Sequence, residues 1–238
     1  YNSRQDVHDE IDRRQGKSVN ALRRWIRQPA FSDTGVGIAD GAVYTRDLLA
    51  TIADDATVLI TDGHPIVLGT INSRRKNVPT LIIYGSYDVP PVFEEDWTVD
   101  PLSGSILEVA DIDIPQLEEP ILVGLGIYHH KAPLIANILA VKAMLDVMED
   151  IPVNLIYIIE GEGQIGSPGL AGFISRYRDV LGQADGCWMP GMQQIPAGHM
   201  LLHQASKGVL FAEIECLAGD KSVQQFISDM DALFEDDT

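Results

Sequence analysis

The chain has 238 residues, 45% of them apolar, and carries 35 acidic against 17 basic side chains for a formal net charge of −18. That length suits one large domain, or one domain with part of another. The acidity leaves no basic face of the kind nucleic-acid binding requires, and no apolar run approaches the roughly 20 residues of a membrane span.

The start, "YNSRQDVHDEIDRRQGK", is polar and charged, unlike a secretion signal. A soluble intracellular protein of the cytoplasm or an organelle matrix is therefore expected. Residues 5–27 read as a helix with Ile11, Val19, Leu22, Trp25 and Ile26 on its apolar side, ended by Pro29. A second helix is expected over 40–53, then two strands, "ATVLI" and "PIVLGTI", around the turn "TDGH". The basic clusters Arg23, Arg24, Arg27 and Arg74, Arg75, Lys76 read as solvated helix and loop positions. "PTLIIYG" is apolar at successive positions, the pattern of a strand covered on both faces.

Residues 91–119 show little periodicity and many acids, a long excursion of the kind that covers sites. "PILVGLG" reads as another strand. In the next segment, Leu134, Ile138, Val141, Leu145 and Met148 recur at helical spacing. "VNLIYIIE" is a buried strand, and 168–181 a helix. "GVLFAEIEC" alternates like a half-buried strand, and "SVQQFISDMDALFEDD" forms a short amphipathic helix. Cys187 and Cys216 lack CxxC spacing and are expected as buried thiols, not as a zinc finger or disulfide framework.

Strands alternate with helices, so the predicted class is α/β, with a mainly parallel central sheet and helices on both faces. Ligands in such sheets gather where strands end. Three loops qualify: "GSYDVPP" at 85–91, "GLGIYHHKAP" at 124–133 and "EGEGQIGS" at 160–167. The last has the form of an active-site turn, yet Gly163 and Gln164 stand where a hydrolytic site would carry adjacent carboxylates.

The three loops, with "DWTVDPLSGSI", "ADGCWMPG" and "KGVLFAEIEC", resemble in order and spacing the co-catalytic zinc aminoacylase and carboxypeptidase family, which includes acetylornithine deacetylases, succinyl-diaminopimelate desuccinylases and carnosinase-like dipeptidases. The resemblance covers about residues 20–217. It implies a zinc-peptidase-like α/β domain over 1–205, followed at 206–238 by a truncated remnant of a small lid or dimerisation domain. It also implies amide hydrolysis by a metal-bound hydroxide, with a glutamate moving the proton.

Carried over by position, the family's first histidine ligand falls on Ser86, and the aspartate that orients it on Asp88, which is retained. The bridging aspartate falls on His129, the general-base glutamate on Gly163, the next metal-binding glutamate on Gln164 and a later acidic ligand on Pro190. Hydroxyl and carboxamide groups bind zinc weakly, glycine and proline offer no side-chain ligand, and one imidazole does not bridge two ions. Loss of a general base alone costs on the order of 100- to 10,000-fold in rate. No metal and no cofactor are therefore expected, zinc being the family's ion.

Three fallback chemistries remain open at the level of sequence. His129 and His130 with Asp88 and Glu162 make a candidate mononuclear metal site. Glu162 is a substitute base if the loop shifts by one residue. Ser86, His129 and Asp88 make a metal-free triad if they face one another. His199 and His203 read as ordinary surface or inter-domain residues, and Lys207 as the start of a strand entering the second domain.

The expected function is a non-catalytic homologue acting as a structural or regulatory subunit of a larger assembly, with a protein partner or oligomer covering exposed strand edges. An active hydrolase of peptides or N-acyl amino acids with a remodelled site is the alternative, and a small-ligand binding module the second alternative.

Overall fold

A computed structural model describes residues 4–93, 97–111 and 119–191. Two helices open this part of the chain, α1 (Arg4–Arg13) and α2 (Gln15–Ile26). The single helix expected over 5–27 is interrupted at Arg14, whose φ of −98° and ψ of 0° lie at the margin of the helical region, two residues before the weak helix-former Gly16. Glu10, buried in α1, accepts ion pairs from Arg13 and Arg14, and Arg14 reaches on to Asp146 at 2.6 Å. α3 (Ile38–Leu49) begins behind Gly37, which takes the left-handed conformation at φ 75°.

The central sheet contains β1 (Asp55–Leu59), β2 (Ile66–Ile71), β3 (Thr80–Ser86), β6 (Asn154–Glu160) and β7 (Gly186–Trp188), in the order β1-β2-β6-β3-β7. Strands β3, β6 and β7 run parallel, while β1 and β2 join antiparallel, so the sheet is mixed. The expected strand at "PILVGLG" forms as β5 (Ile121–Val123), but it pairs with β4 (Ser105–Leu107) in a separate two-stranded sheet. α4 (Ala132–Met148) comes next, and the helix expected at 168–181 is divided at Tyr177 into α5 (Leu170–Arg176) and α6 (Arg178–Leu181).

Alternation along the strands builds two cores. Val67, Ile71, Ile83, Leu155, Tyr157 and Ile159 meet Leu49 of α3 and Leu134, Ile138 and Val141 of α4 on one face. Ile66, Ile156 and Ile158 meet Phe173 of α5 on the other, with Ile82 and Tyr84 packed against them. The expectation of an α/β sheet with helices on both faces therefore holds. A strand buried on both faces holds little freedom at its end, and both β3 and β6 end at the candidate site.

Candidate functional site

β3 and β6 end side by side, with Ser86 and Glu160 as partners in the parallel register. Tyr84, Ser86 and Glu160 fall in the same alternation as Ile82, Ile156 and Ile158. They line a cavity of about 60 Å³ together with His130, Gly163 and Ser167.

Asp88 lies just past the end of β3 and is fully buried. Its Oδ1 accepts the Gly163 amide at 3.0 Å and its Oδ2 the Gln164 amide at 2.8 Å. Both carboxylate oxygens are thus engaged by the tight turn Gly163–Ile165, and a carboxylate bonded to backbone amides forms strong, charge-assisted bonds. Among the described residues Asp88 bonds to no histidine; it holds the turn against β3. The turn comes so close that a β-carbon on Gly163 would lie 2.7 Å from Ser86 Oγ and 2.8 Å from its Cβ. A side chain at position 163 has no room on this backbone unless Ser86 moves.

The histidine pair sits in a π-helical turn, Ile127–Lys131, closed by donation from the Lys131 amide to the Gly126 carbonyl at 2.9 Å. A π turn inserts one residue relative to an α-helix and rotates the residues after it. His130, not His129, consequently lines the cavity, whereas His129 is exposed and packs edge-on against Tyr128. The expectation that Ser86 faces His129 is corrected on this point. Gln164 Nε2 donates to His130 Nε2 at 2.6 Å, which assigns a neutral ring protonated on Nδ1. Burial lowers the His130 pKa, outweighing the pull of Asp88.

Two further carboxylates are buried. Tyr84 and Ser167 (2.7 Å) both donate their hydroxyl protons to Glu160 Oε1. Burial raises the pKa of Glu160, and burial together with the Glu160 bond raises that of Tyr84. Glu162, the fallback base, points the other way. Its Oε1 accepts the His64 amide at 2.9 Å and its Oε2 the Gly169 amide at 2.7 Å, fastening the β1–β2 turn to the start of α5. Each oxygen of Glu162 is thus already tied to the backbone.

Lys131, missed in the sequence, is fully buried, and its ammonium donates to the carbonyls of Trp25 (3.0 Å) and Gln28 (3.3 Å) at the end of α2. Burial pushes its pKa down to about 8, against the attraction of Asp88. The helix-like run after "GLG" carries no sign that one of its cations is internal.

These residues do not fit the family's pair of zinc ions. Ser86 offers a hydroxyl, Gly163 and the buried Pro190 offer no side-chain donor, Asp88 is committed to amides and the Nε2 of His130 to Gln164. No group of three or more His, Cys, Asp or Glu suited to a metal converges among the described residues, so the mononuclear alternative finds no ligand set. The triad fails on geometry as well: Ser86 Oγ is buried without a hydrogen-bond partner, so no histidine activates it. Cys187 is exposed on β7, contrary to expectation, because β7 is the last described strand of its sheet. Cys216, His199, His203, Lys207 and the expected boundary at 205/206 lie outside the described residues.

No family model matches the sequence. Individual relatives do. The chain is 32% identical over 190 residues to the β-Ala-His dipeptidase of Rattus norvegicus, a match covering 71% of this chain and 35% of that enzyme. It is 33% identical over 111 residues to a Cys-Gly metallodipeptidase of Schizosaccharomyces pombe, covering 46% of this chain and 21% of the relative. The chain thus spans about a third or less of the length of these curated relatives. Among solved structures, a metallo-carboxypeptidase from Sulfolobus solfataricus superposes with a TM-score of 0.66 at 31% identity, over 76% of this chain and 38% of that one. Human carnosine dipeptidase 1 superposes equally well, with a TM-score of 0.66 at 24% identity, and shares the fold. With the ordered motifs and the sheet in agreement, the chain belongs to the family of zinc-dependent aminoacylases, carboxypeptidases and dipeptidases.

Proposed function

We propose that this chain is a non-catalytic homologue of the family's amide hydrolases, acting as a structural or regulatory subunit of a larger assembly. The observation that carries the reading is the double engagement of Asp88 by the Gly163 and Gln164 amides, which packs the turn against Ser86. A working hydrolase needs that volume for its nucleophile and base. Here the Ser86 side chain occupies the space a side chain at position 163 would need. The subunit role draws support from β7, whose residues are all exposed and whose Trp188 and neighbouring Met189 present apolar surface beside the site.

The alternative, hydrolysis of a dipeptide or N-acyl amino acid, draws on the 32% identity to a dipeptidase. Two measurements on the purified native protein separate them. Elemental mass spectrometry is expected to find far less than one zinc, manganese or cobalt per chain. Assays on β-Ala-His and Cys-Gly, with each metal supplied, are expected to show no turnover above buffer. About one metal per chain, lost on changing His130, together with turnover, would overturn the proposal. For the subunit role, native mass spectrometry is expected to find a second polypeptide in fixed ratio, and a monodisperse monomer would count against it.

A further inference from the structure

We propose that the cavity at the ends of β3 and β6 binds one small monovalent cation of the sodium or potassium class, held by oxygen atoms of Glu160 and Ser86. Two of the residues that line it carry a polar atom buried without a hydrogen-bond partner, Glu160 Oε2 and Ser86 Oγ. Their residues are 1% and 3% exposed. Buried oxygens of this kind are normally satisfied, and these two belong to residues paired across adjacent strands. The hydroxyls of Tyr84 and Ser167 border the same space, and since each gives its proton to Glu160 Oε1, each keeps lone pairs for a cation. The volume, about 60 Å³, exceeds the ~10–15 Å³ that one water-sized guest requires.

Charge selects a cation over water alone. Asp88, Glu160 and Glu162 are all at least nine-tenths buried, and each of the other two repels Glu160. Lys131 is the only buried basic side chain among the described residues, and its donors are directed at the carbonyls of α2. A concentration of buried negative charge with one buried positive partner favours uptake of a further positive charge. Charge count and ligand type then select a monovalent ion. Asp88 and Glu162 do not line the cavity and are tied to amides elsewhere, so Glu160 supplies its one carboxylate, beside neutral hydroxyls. Hard oxygen donors are poor ligands for zinc, and a single free carboxylate charge suits a singly charged ion better than a divalent one. The inference is independent of whether the chain hydrolyses anything.

The test uses the full chain in N-methylglucamine chloride, a cation too large for the cavity, titrated with sodium or potassium chloride at constant ionic strength. The melting temperature is expected to rise saturably by about 3 °C or more. That rise is lost in Glu160→Gln. Sodium-23 relaxation on the same samples is expected to show a bound fraction displaced by potassium. Should Glu160→Gln fail to fold, Ser86→Ala removes one ligand oxygen and is expected to weaken the midpoint at least tenfold. Identical melting in all three salts, or a rise that survives in the variants, overturns the proposal. Loss of this effect alone leaves the non-catalytic reading standing, whereas stabilisation by micromolar zinc would defeat both.

Discussion

Gly163 stands against Ser86 so closely that a β-carbon would lie 2.7 Å from the serine hydroxyl. The two residues, far apart in sequence, pack on each other. Their changes are therefore mutually dependent: with Ser86 in place, position 163 tolerates hydrogen alone.

Gly163→Ala is accordingly expected to destabilise the chain by about 1–3 kcal/mol, the usual cost of overpacking. Pairing it with Ser86→Gly removes both atoms of the clash. The double variant should then recover part of the loss, a coupling of the size expected for residues in contact. Urea denaturation of the four proteins checks this. Strictly additive losses would mean that the turn moves away from Ser86 freely.

Asp88→Asn tests the clamp itself. The asparagine retains one acceptor but turns a donor toward one of the two amides, which leaves a buried N–H without a partner. A loss of roughly 2–3 kcal/mol is expected. It should be accompanied by faster hydrogen exchange at Gly163 and Gln164, while the amides of β6 stay protected. Uniformly faster exchange would argue that Asp88 supports the whole fold and not the turn.

Much of this arrangement is readable from the chain, for a physical reason that differs by element. "VNLIYIIE" is apolar at both parities because β6 is covered on both sides. The apolar stripe of α4 likewise marks its buried side through Leu134, Ile138 and Val141. Strand direction is less legible: β2 joins β6 antiparallel, and nothing local in either run encodes that. That His130 and not His129 lines the cavity is hidden by the π turn, since matching motifs residue by residue presumes a constant helical pitch. The contrast between Glu160 and Glu162 is of another kind. Glu160 closes a strand and inherits its alternation, whereas Glu162 lies beyond the strand and is drawn to the His64 and Gly169 amides by the packing of β6 against β2 and α5.

Lys131 sets a pH dependence whose sign is fixed by burial. Its ordinary pKa of 10.5 falls to about 8 in the folded chain. Between those values the unfolded chain binds the proton more fully than the folded one, so stability attributable to Lys131 rises with pH across that window. Lys131→Met removes the titration and keeps most of the packing. From pH 8 to 10 the parent should gain on the order of 1–3 kcal/mol relative to the variant. Parallel stability profiles for the two proteins would show that the ammonium is better solvated than its burial implies.

Glu162→Gln separates a structural carboxylate from a catalytic one. Both oxygens of Glu162 accept backbone amides, and a β-carbon on Gly169 would meet Oε2 at 2.6 Å, so the carboxylate is gripped on both sides. Glutamine keeps one acceptor and opposes the other amide with a donor. The expected cost is about 1–3 kcal/mol of stability, with the melting response to sodium weakened but not abolished, because Glu162 adds charge near the cavity while the unpartnered oxygens belong to Glu160 and Ser86. If a dipeptide is turned over by the parent, a base at Glu162 would make Glu162→Gln lose at least about 100-fold in kcat at unchanged fold. A staple predicts the reverse pattern: lower stability, and kcat unchanged in whatever fraction remains folded. Measuring both on one preparation decides between them, since a proton acceptor and a backbone clamp cannot give the same pair of results.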